Sequence, residues 1–442
     1  MKVHLKTLGC RLNEAELETW AQAFQKYGHQ ITRQAETANL IVINSCAVTR
    51  DAAAKSRRLI RRTHRDNPQA RLVISGCYAT LNQEEAARLM GVDLIVSNKD
   101  KDRLVEKTLT ELDMDSMPAM SAEPGEFSLF TRGRQRAFVK VQDGCRYRCT
   151  FCIVTVARGE ETSRPMQAII DEINTLHRQG INEVILTGVH LGGYGSDLGF
   201  NLPDLIKAVL AHTDIPRLRL GSLEPWEFSE DFFELFRNSR LMPHLHLPLQ
   251  SGSDSVLRRM ARRCRTGEFD AIVSRLRRQI PHFNITTDII VGFPGETEQE
   301  WQESLDFIKQ TGFGHIHIFT YSGREGTKAA TLPNQLGNDI KKQRSRKLHE
   351  LAHEMKLKFC RDNVGNEFPV LWEGYNEPCS EGKKLVFGYT PNYLRVTCAL
   401  ANEESVENQT LKAKLTAAGE DFMVATIADR TMNADKINAL SS

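Results

Sequence analysis

A cysteine motif with the spacing C-x3-C-x2-C, formed by Cys145, Cys149 and Cys152, follows directly after the strand-like run AFVKVQ at 137–142. Five further strand-like runs come after it, and helical patterns separate them. This alternation predicts a parallel sheet wrapped by helices, a partial or complete barrel of six β/α units. Barrel enzymes keep their chemistry at the carboxyl ends of the strands, which is where this central trio of cysteines stands. The six predicted strands are 137–142, 183–188, 217–222, 244–250, 284–292 and 315–321.

The central trio is predicted to bind an iron–sulfur cluster. Structural zinc takes four protein ligands, and no cysteine or histidine follows Cys152 at a suitable fourth spacing. An iron–sulfur cubane held by three cysteines leaves one iron open for a substrate or cofactor. The alternatives are a zinc site and an accidental grouping of thiols.

A first trio of cysteines lies near the start of the chain. Cys10 follows the run VHLKTLG, Cys46 follows LIVINS and Cys77 follows LVISG. Helical patterns separate these runs, so an open parallel α/β sheet is predicted, and ligands bind along the carboxyl edge of such sheets. Three buried structural cysteines are the alternative. Because all three stand just past a strand end, a second cluster with an open iron is favoured.

A cytoplasmic location is predicted. No apolar run approaches the roughly 18 residues that span a bilayer, and the first residues lack the apolar stretch of a signal peptide. The ten cysteines are therefore expected to stay reduced rather than to form a disulfide framework. Four of them stand outside the two trios and are predicted to be ordinary thiols: Cys264, Cys360, Cys379 and Cys398.

Three folded domains are predicted from changes in composition and periodicity. The segment after the open sheet gathers Pro, Gly, Ser and acidic residues, as linkers do. After the barrel, five short strands in about 70 residues predict a small antiparallel β-barrel of OB-like size. The predicted ranges are 1–112 for the open sheet, 113–133 for the linker, 134–357 for the barrel, 358–430 for the small barrel and 431–442 for a tail.

The cysteine motifs resemble those of the radical S-adenosylmethionine superfamily. The run DGCRYRCTFCIVTVARGEETSRP at 143–165 is similar to the methylthiotransferase family within it, as are TLGCRLNEAE, INSCAVT and SGCYAT around the first trio. A typical member carries proline where this chain has Thr155. The resemblance extends through all three domains, and GYTPNYLRV at 388–396 is similar, more weakly, to the TRAM RNA-binding domain.

The resemblance implies a transferase with two 4Fe-4S clusters. The central trio would hold the cluster that cleaves S-adenosylmethionine to a 5′-deoxyadenosyl radical. The first trio would hold the cluster that carries the sulfur, methylated by a second S-adenosylmethionine. The implied partners are the anticodon stem-loop of tRNA, an external electron donor and a sulfur source, with no membrane. The oligomeric state is left open, with a monomer favoured. The alternative of another class is a non-enzymatic, metal-containing RNA-binding protein.

The motif around Cys10 separates the branches of the family. TLGCRLN is similar to the branch that acts on threonylcarbamoyladenosine at position 37 of tRNA. TYGCQMN is typical of the isopentenyladenosine branch and SLGCPKN of the branch that modifies an aspartate of a ribosomal protein, and both remain alternatives. An anionic threonylcarbamoyl group favours a basic pocket, for which Arg11, Arg158 and Arg164 are candidates.

Polar and glycine-rich turns after the other barrel strands predict a pocket for S-adenosylmethionine. Glu224, Gln250 and Asp288 are candidates for hydrogen bonds to ribose or amino groups, and Phe151 for packing on adenine. Ordinary turns between strands and helices are the alternative at each position. His244 and His246 share a strand face, where a packing role is favoured over metal binding.

RNA binding requires a local basic patch, because 58 lysines and arginines against 56 acids leave a formal charge of only +2. The helix KSRRLIRRTHR is predicted to present one, since its arginines fall within an arc of roughly 140° and no acid interrupts 52–65. A merely solvated face is the alternative. Basic groups at 258–265 and 341–347 are expected to extend the field. The predicted RNA-binding arginines of this helix face are Arg57, Arg58, Arg61, Arg62 and Arg65.

Overall fold

The computed structural model describes residues 1–112, 135–380 and 382–427. The predicted linker 113–133 and tail 431–442 lie outside the described residues, and the predicted domain boundaries stay predictions. Among the helices that the structure describes, none is long and apolar enough to cross a membrane.

The N-terminal domain is the predicted open parallel sheet, with strand order β2-β1-β3-β4-β5. The central strand alternates its side chains between two cores, so that Leu40 and Val42 pack on one face while Ile41 and Ile43 pack on the other. The strands are β1 (Lys2–Thr7), β2 (Gln30–Ile31), β3 (Leu40–Ser45), β4 (Arg71–Gly76) and β5 (Leu94–Val96). The helices are α1 (Arg11–Lys26), α2 (Arg50–Asp66), α3 (Cys77–Leu81), α4 (Gln83–Ala87) and α5 (Leu104–Glu111).

The central domain is the predicted partial barrel of six parallel strands. β6, β9 and β10 pair in one ladder and β11, β12 and β13 in another, and the bridge between Ser222 and His246 joins the two. Within the described residues β6 and β13 do not pair, so the barrel is open on one side. Its strands are β6 (Arg136–Lys140), β9 (Glu183–Thr187), β10 (Arg217–Leu220), β11 (His244–His246), β12 (Asn284–Val291) and β13 (His315–Thr320). Two short strands, β7 (Gln142–Asp143) and β8 (Thr162–Ser163), form a separate antiparallel pair.

Helices cover the outside of this barrel and bury its largest apolar core. They are α7 (Met166–Arg178), α8 (Leu202–His212), α9 (Glu230–Leu235), α10 (Asp254–Arg259), α11 (Thr266–Gln279) and α12 (Glu298–Thr311). The short helix α6 (Val154–Arg158) instead packs Ala157 into a core of the N-terminal domain. The long helix α13 (Asn338–Asp362) then runs to the C-terminal domain and contributes Leu348 to the barrel core and Cys360 to the next core.

The C-terminal domain is a closed five-stranded barrel in the order β14-β15-β16-β18-β17. It differs from the predicted antiparallel barrel in one pair, because β18 inserts between β16 and β17 and runs parallel to β16. The strands are β14 (Glu367–Ser380), β15 (Lys383–Tyr389), β16 (Arg395–Ala401), β17 (Thr410–Ala418) and β18 (Met423–Ile427).

A buried ion cluster joins the N-terminal domain to the open side of the central barrel. Glu16 of α1 lies 2.9 Å from Arg158 and 2.6 Å from Lys101. Asp143 lies 3.2 Å from the same arginine and 2.9 Å from Lys140. The two carboxylates offset three buried cations, and the cluster therefore holds the carboxyl edge of the first sheet against the cysteine loop of the barrel.

Candidate cluster and substrate site

The first trio stands at the carboxyl edge of the N-terminal sheet. Cys10 is the residue before α1, Cys46 follows β3, and Cys77 is the first residue of α3. Gly9, with a φ of 121°, lies so close to Cys46 that a side chain at position 9 would collide with that cysteine. A glycine is therefore required there, because it permits both the positive φ and the close approach.

Burial and mutual repulsion shape the chemistry of the first trio. Burial, with smaller contributions from the charges of Cys77 and Cys10, raises the pKa of Cys46 to about 11. Burial also raises the pKa of Cys10, while the neighbouring Arg158 opposes that shift. Asn13 orients this arginine by accepting a hydrogen bond of 2.9 Å from its Nη2. Three soft sulfurs beside one buried cation fit an anionic iron–sulfur cluster.

The central trio lies on the loop between β7 and α6, at the rim of the barrel. Burial raises the pKa of Cys145 to about 11 and that of Cys152 to about 12. The backbone N–H of Val154 donates to Cys152 Sγ at 3.4 Å, and Arg262 Nη1 donates to Cys149 Sγ at 3.9 Å. These sulfurs thus have donors that stabilise a thiolate, as ligands of a cluster require.

The residues predicted to bind S-adenosylmethionine already have partners. Arg262 donates to both carboxylate oxygens of Glu224, at 2.6 and 3.2 Å. Gln250 has a positive φ of 78° and pairs its backbone with that of Asp288 at 2.8 Å. Phe151 is partly buried against the small core around Val256. Their role in binding S-adenosylmethionine stays a prediction.

The structure groups side chains that could bind a metal into two clusters that the sequence did not predict, although His246 and Asp288 were each named for another role. His190 lies 2.6 Å from Glu161, and ligand atoms of both fall within 4.8 Å of Cys145. His246 lies 3.2 Å from Asp288, and His317 completes a second cluster of the same kind. The partners in each cluster come from different strand ends, so the sequence offered only the motif TGVHLGG as a signal for the first.

The three arginines predicted to form a basic pocket have different surroundings. Arg158 is held by the interdomain ion cluster, and Arg164 lies 2.7 Å from Glu172. Arg11 makes no ion pair with a carboxylate in the part of the chain that the structure describes. Its guanidinium instead lies 5.7 Å from the ring centres of Phe138 and of Tyr393. Arg11 is therefore the one of the three available to an anionic substrate group.

The predicted arginine face of α2 is exposed, but acids that flank it reduce its field. The ion pairs are Arg57–Glu85 at 3.5 Å, Arg58–Asp51 at 3.9 Å, Arg62–Asp66 at 3.3 Å and Arg65–Asp66 at 3.8 Å. Arg61 pairs with no carboxylate among the described residues. Contact of this face with RNA stays a prediction.

The prediction that the basic groups at 258–265 and 341–347 extend the positive field of the α2 face is wrong for two of their arginines. Arg262 is buried against Glu224, and Arg344 is buried with its Nη1 2.7 Å from Glu296. Both are neutralised inside the protein, because a buried guanidinium requires a partner of opposite charge. Neither side chain is available to an RNA backbone.

Comparison with known families matches two parts of the chain. Residues 139–308 match the radical SAM superfamily, and residues 2–97 match a family described as uncharacterized protein family UPF0004. Among solved structures, the radical S-adenosylmethionine methyltransferase TsrM from Kitasatospora setae aligns with a TM-score of 0.55 and 16% identity. That alignment covers 74% of this chain and 77% of TsrM, and it shows the fold alone.

Curated relatives match nearly the whole chain. The threonylcarbamoyladenosine tRNA methylthiotransferase MtaB of Bacillus subtilis is 33% identical, with 95% of each chain covered. The protein of the same name from Thermotoga maritima is 35% identical, with 89% of this chain and 90% of the relative covered. The tRNA-2-methylthio-N(6)-dimethylallyladenosine synthase of Bacillus pumilus is 33% identical, with 94% of this chain and 84% of the relative covered.

Proposed function

The chain belongs to the methylthiotransferase family of radical S-adenosylmethionine enzymes, and on that basis we propose that it converts N6-threonylcarbamoyladenosine at position 37 of tRNA to the 2-methylthio derivative. Enzymes of this family use S-adenosylmethionine and two 4Fe-4S clusters, and their substrate is tRNA in the relatives named above. Membership removes the alternative of a non-enzymatic RNA-binding protein.

The first trio and the central trio would each hold one cluster. When bound, the clusters and S-adenosylmethionine supply the one-electron chemistry, the methyl group and the sulfur that replace the hydrogen on C2 of the adenine. The protein contributes charge balance and placement. Arg158 lies beside the first trio and Arg262 beside the central trio, so each cluster site has a buried cation next to it.

The ion cluster between the domains fixes the relative position of the two trios. Arg158 follows the central trio in sequence, yet it binds Asn13 and Glu16 of α1. Asp143, on the strand before the central trio, accepts from the same guanidinium. Side chains of the barrel thus bind directly to the helix that follows Cys10, and buried charge-assisted hydrogen bonds hold the distance between the two sites.

The positive charge of Arg11, which no carboxylate of the described residues balances, is the observation that supports a threonylcarbamoyl substrate. It follows Cys10 directly and lies over the rings of Phe138, in β6 of the barrel, and of Tyr393. Burial, aided by the charge of Arg11, lowers the pKa of His317 inside the barrel. A guanidinium without a carboxylate partner can donate two hydrogen bonds to a substrate carboxylate in a bidentate pair. An isopentenyl chain carries no charge and would not pair with this guanidinium.

We expect mass spectrometry of tRNA nucleosides to test the proposal in cells that lack the gene. These cells should lose 2-methylthio-threonylcarbamoyladenosine and keep its precursor, and the wild-type gene should restore the product. The variant Arg11→Ala should restore it poorly, because the substrate carboxylate loses its partner. The exposed Arg237→Ala variant serves as the control and should restore it fully.

Two results would contradict the proposal. Loss of the isopentenyl derivative in place of the threonylcarbamoyl one would assign the chain to that branch. Normally modified tRNA together with an unmodified aspartate in a ribosomal protein would assign the chain to the branch that acts on that aspartate.

A further inference from the structure

A cleft of 490 Å³ lies between the N-terminal domain and the last strand of the barrel. One wall is the start of α2, with Arg50, and the other is the end of β13, with Phe319 and Tyr321. Lys341, from the first turn of α13, closes the cleft. The volume is within the roughly 300–1,000 Å³ range of small-ligand sites.

Positive charge dominates this cleft. Arg50 and Lys341 line it, and neither makes an ion pair with a carboxylate in the described ranges. Lys341 Nζ donates only to the carbonyl oxygen of Tyr321, at 3.3 Å. Burial and the nearby charge of Arg50 lower the pKa of both Lys341 and Arg324.

One acid lines the cleft, and it already has a partner. Asp51 lies 2.6 Å from Lys55 and 3.9 Å from Arg58, both on α2. Its charge is therefore balanced within the helix and does not balance the two cations of the cleft.

The hydroxyl of Tyr321 points to a missing partner. Tyr321 is only 6% exposed, and its Oη is buried without a hydrogen-bond partner in the described structure. The ring is held edge-on by Phe293, with 5.5 Å between the ring centres, and the hydroxyl lies next to Gly323, which lines the cleft. Buried donors without partners are uncommon because leaving them unpaired is unfavourable, so a ligand oxygen in the cleft would satisfy this hydroxyl.

The cleft also offers an aromatic surface and adjoins the first trio. Phe319, a large apolar side chain on its wall, is 43% exposed. Thr49 and Arg50, which line the cleft, stand three and four residues after Cys46. A ligand in the cleft is therefore next to the loop that carries one cysteine of the cluster site.

We propose that this cleft binds a phosphodiester of the RNA strand beside the base that reacts, with a neighbouring base stacked on Phe319. Two cations and one hydroxyl donor match a phosphate, which carries a negative charge and accepts hydrogen bonds. An exposed aromatic next to a basic groove is the combination that binds unpaired nucleotides. The inference rests on the proposed function in one respect, which is that the substrate is RNA.

The test is the binding of a fluorescent anticodon stem-loop RNA to cluster-loaded protein at several salt concentrations. Arg50→Ala should weaken binding and lower the salt slope by about 0.7–0.9 for its lost phosphate contact. Tyr321→Phe removes one oxygen and should weaken binding about tenfold. Phe319→Ala should weaken it by about tenfold or more through lost stacking. The exposed Arg237→Ala variant is the matched control and should bind as the wild type does.

Iron content and cleavage of S-adenosylmethionine without RNA should stay at the wild-type level in every variant. Because Tyr321→Phe keeps the ring in its core, it reports on the cleft even if Arg50→Ala disturbs folding. Unchanged RNA affinity in Tyr321→Phe and Phe319→Ala would overturn the inference, as would a wild-type protein that does not bind the RNA. A changed KM for S-adenosylmethionine with unchanged RNA affinity would also overturn it and place the cofactor in the cleft.

Different results would contradict the proposed substrate and the proposed phosphodiester site. A wild-type enzyme that modifies isopentenyladenosine would overturn the proposed substrate, whereas weaker RNA binding by the cleft variants would still support the phosphodiester site.

Discussion

Cys149 and Cys152 accept hydrogen bonds from a buried arginine and from a backbone N–H, while burial raises the pKa values of the trio. At neutral pH the metal-free side chains are therefore thiols, and cluster assembly must release their protons. Individual thiol environments do not identify cluster ligands by themselves. Cys264 is more deeply buried than the central trio, and burial raises its pKa to about 12, yet it stands alone in the barrel core.

We expect the change of all three central cysteines to Ala to remove one of two clusters. Iron per chain should fall from about eight to about four atoms, and cleavage of S-adenosylmethionine should disappear. Iron analysis of anaerobically reconstituted protein and an assay for 5′-deoxyadenosine measure both. Cys264→Ala is the matched control and should change neither. Cleavage at the wild-type rate in the triple variant would show that the central trio does not hold the reactive cluster.

At the scale of elements, α2 combines a regular arginine face with acids at both of its ends. Thr49 caps the helix by accepting from Ala52 N at 3.0 Å. Asp51 and Asp66 lie in the first and last turns, where they reach arginines of the face. The helical period predicted the face, but the partial neutralisation depends on side-chain reach at the helix ends.

Changing Arg61 and Arg62 to Glu should weaken tRNA binding without loss of iron. Most of the effect should come from Arg61, because Arg62 already pairs with Asp66 at 3.3 Å. The salt slope should fall by roughly 0.9 for each lost duplex phosphate contact. Fluorescence titration of tRNA at several salt concentrations measures it, with Arg237→Glu as the control. If the slope does not change, the face is only solvated.

At the scale of the whole molecule, a second buried ion cluster joins the central barrel to the C-terminal barrel. Glu183 lies 2.8 Å from Arg217 and 3.1 Å from Arg219. These arginines also donate to backbone carbonyls of the C-terminal domain, including that of Thr390 at 3.0 Å and that of Pro391 at 3.0 Å. Although burial opposes ionisation, the arginines hold the pKa of Glu183 at about 2.

Glu183→Gln should destabilise the protein by about 3–5 kcal/mol at pH 7, because two buried guanidinium groups lose their counter-charge. The stabilisation by Glu183 is present above its ordinary pKa of 4.5 and is lost as the pH falls toward about 2. The stability gap between variant and wild type should therefore narrow over that range. Urea unfolding followed by tryptophan fluorescence measures the gap, with the exposed Glu403→Gln as control. A gap that is independent of pH would contradict this role of the carboxylate.

The sequence by itself determined that the chain has an open sheet, a partial barrel and a small barrel in that order, and it determined the position of both cysteine trios at strand ends. Strand periodicity and the ends of strands are local properties, so Cys10, Cys46 and Cys77 were placed at one sheet edge without knowledge of the fold. The arginine face of α2 is local in the same sense. The short β2 and the parallel pairing of β16 with β18 were missed, because pairing across a sheet depends on distant segments.

The tertiary structure alone decided which charged side chains are held in ion pairs within the protein and which remain available to bind a ligand. Arg158 reaches Glu16 across 142 positions of sequence, and Arg262 reaches Glu224 across 38, so neither ion pair follows any periodic pattern. Arg11 was left without a carboxylate in the described structure, and Arg50 came to line one cleft together with Lys341 of α13. Burial makes each unpaired charge unfavourable, and only the packing of whole domains determines which charges are buried and which are paired.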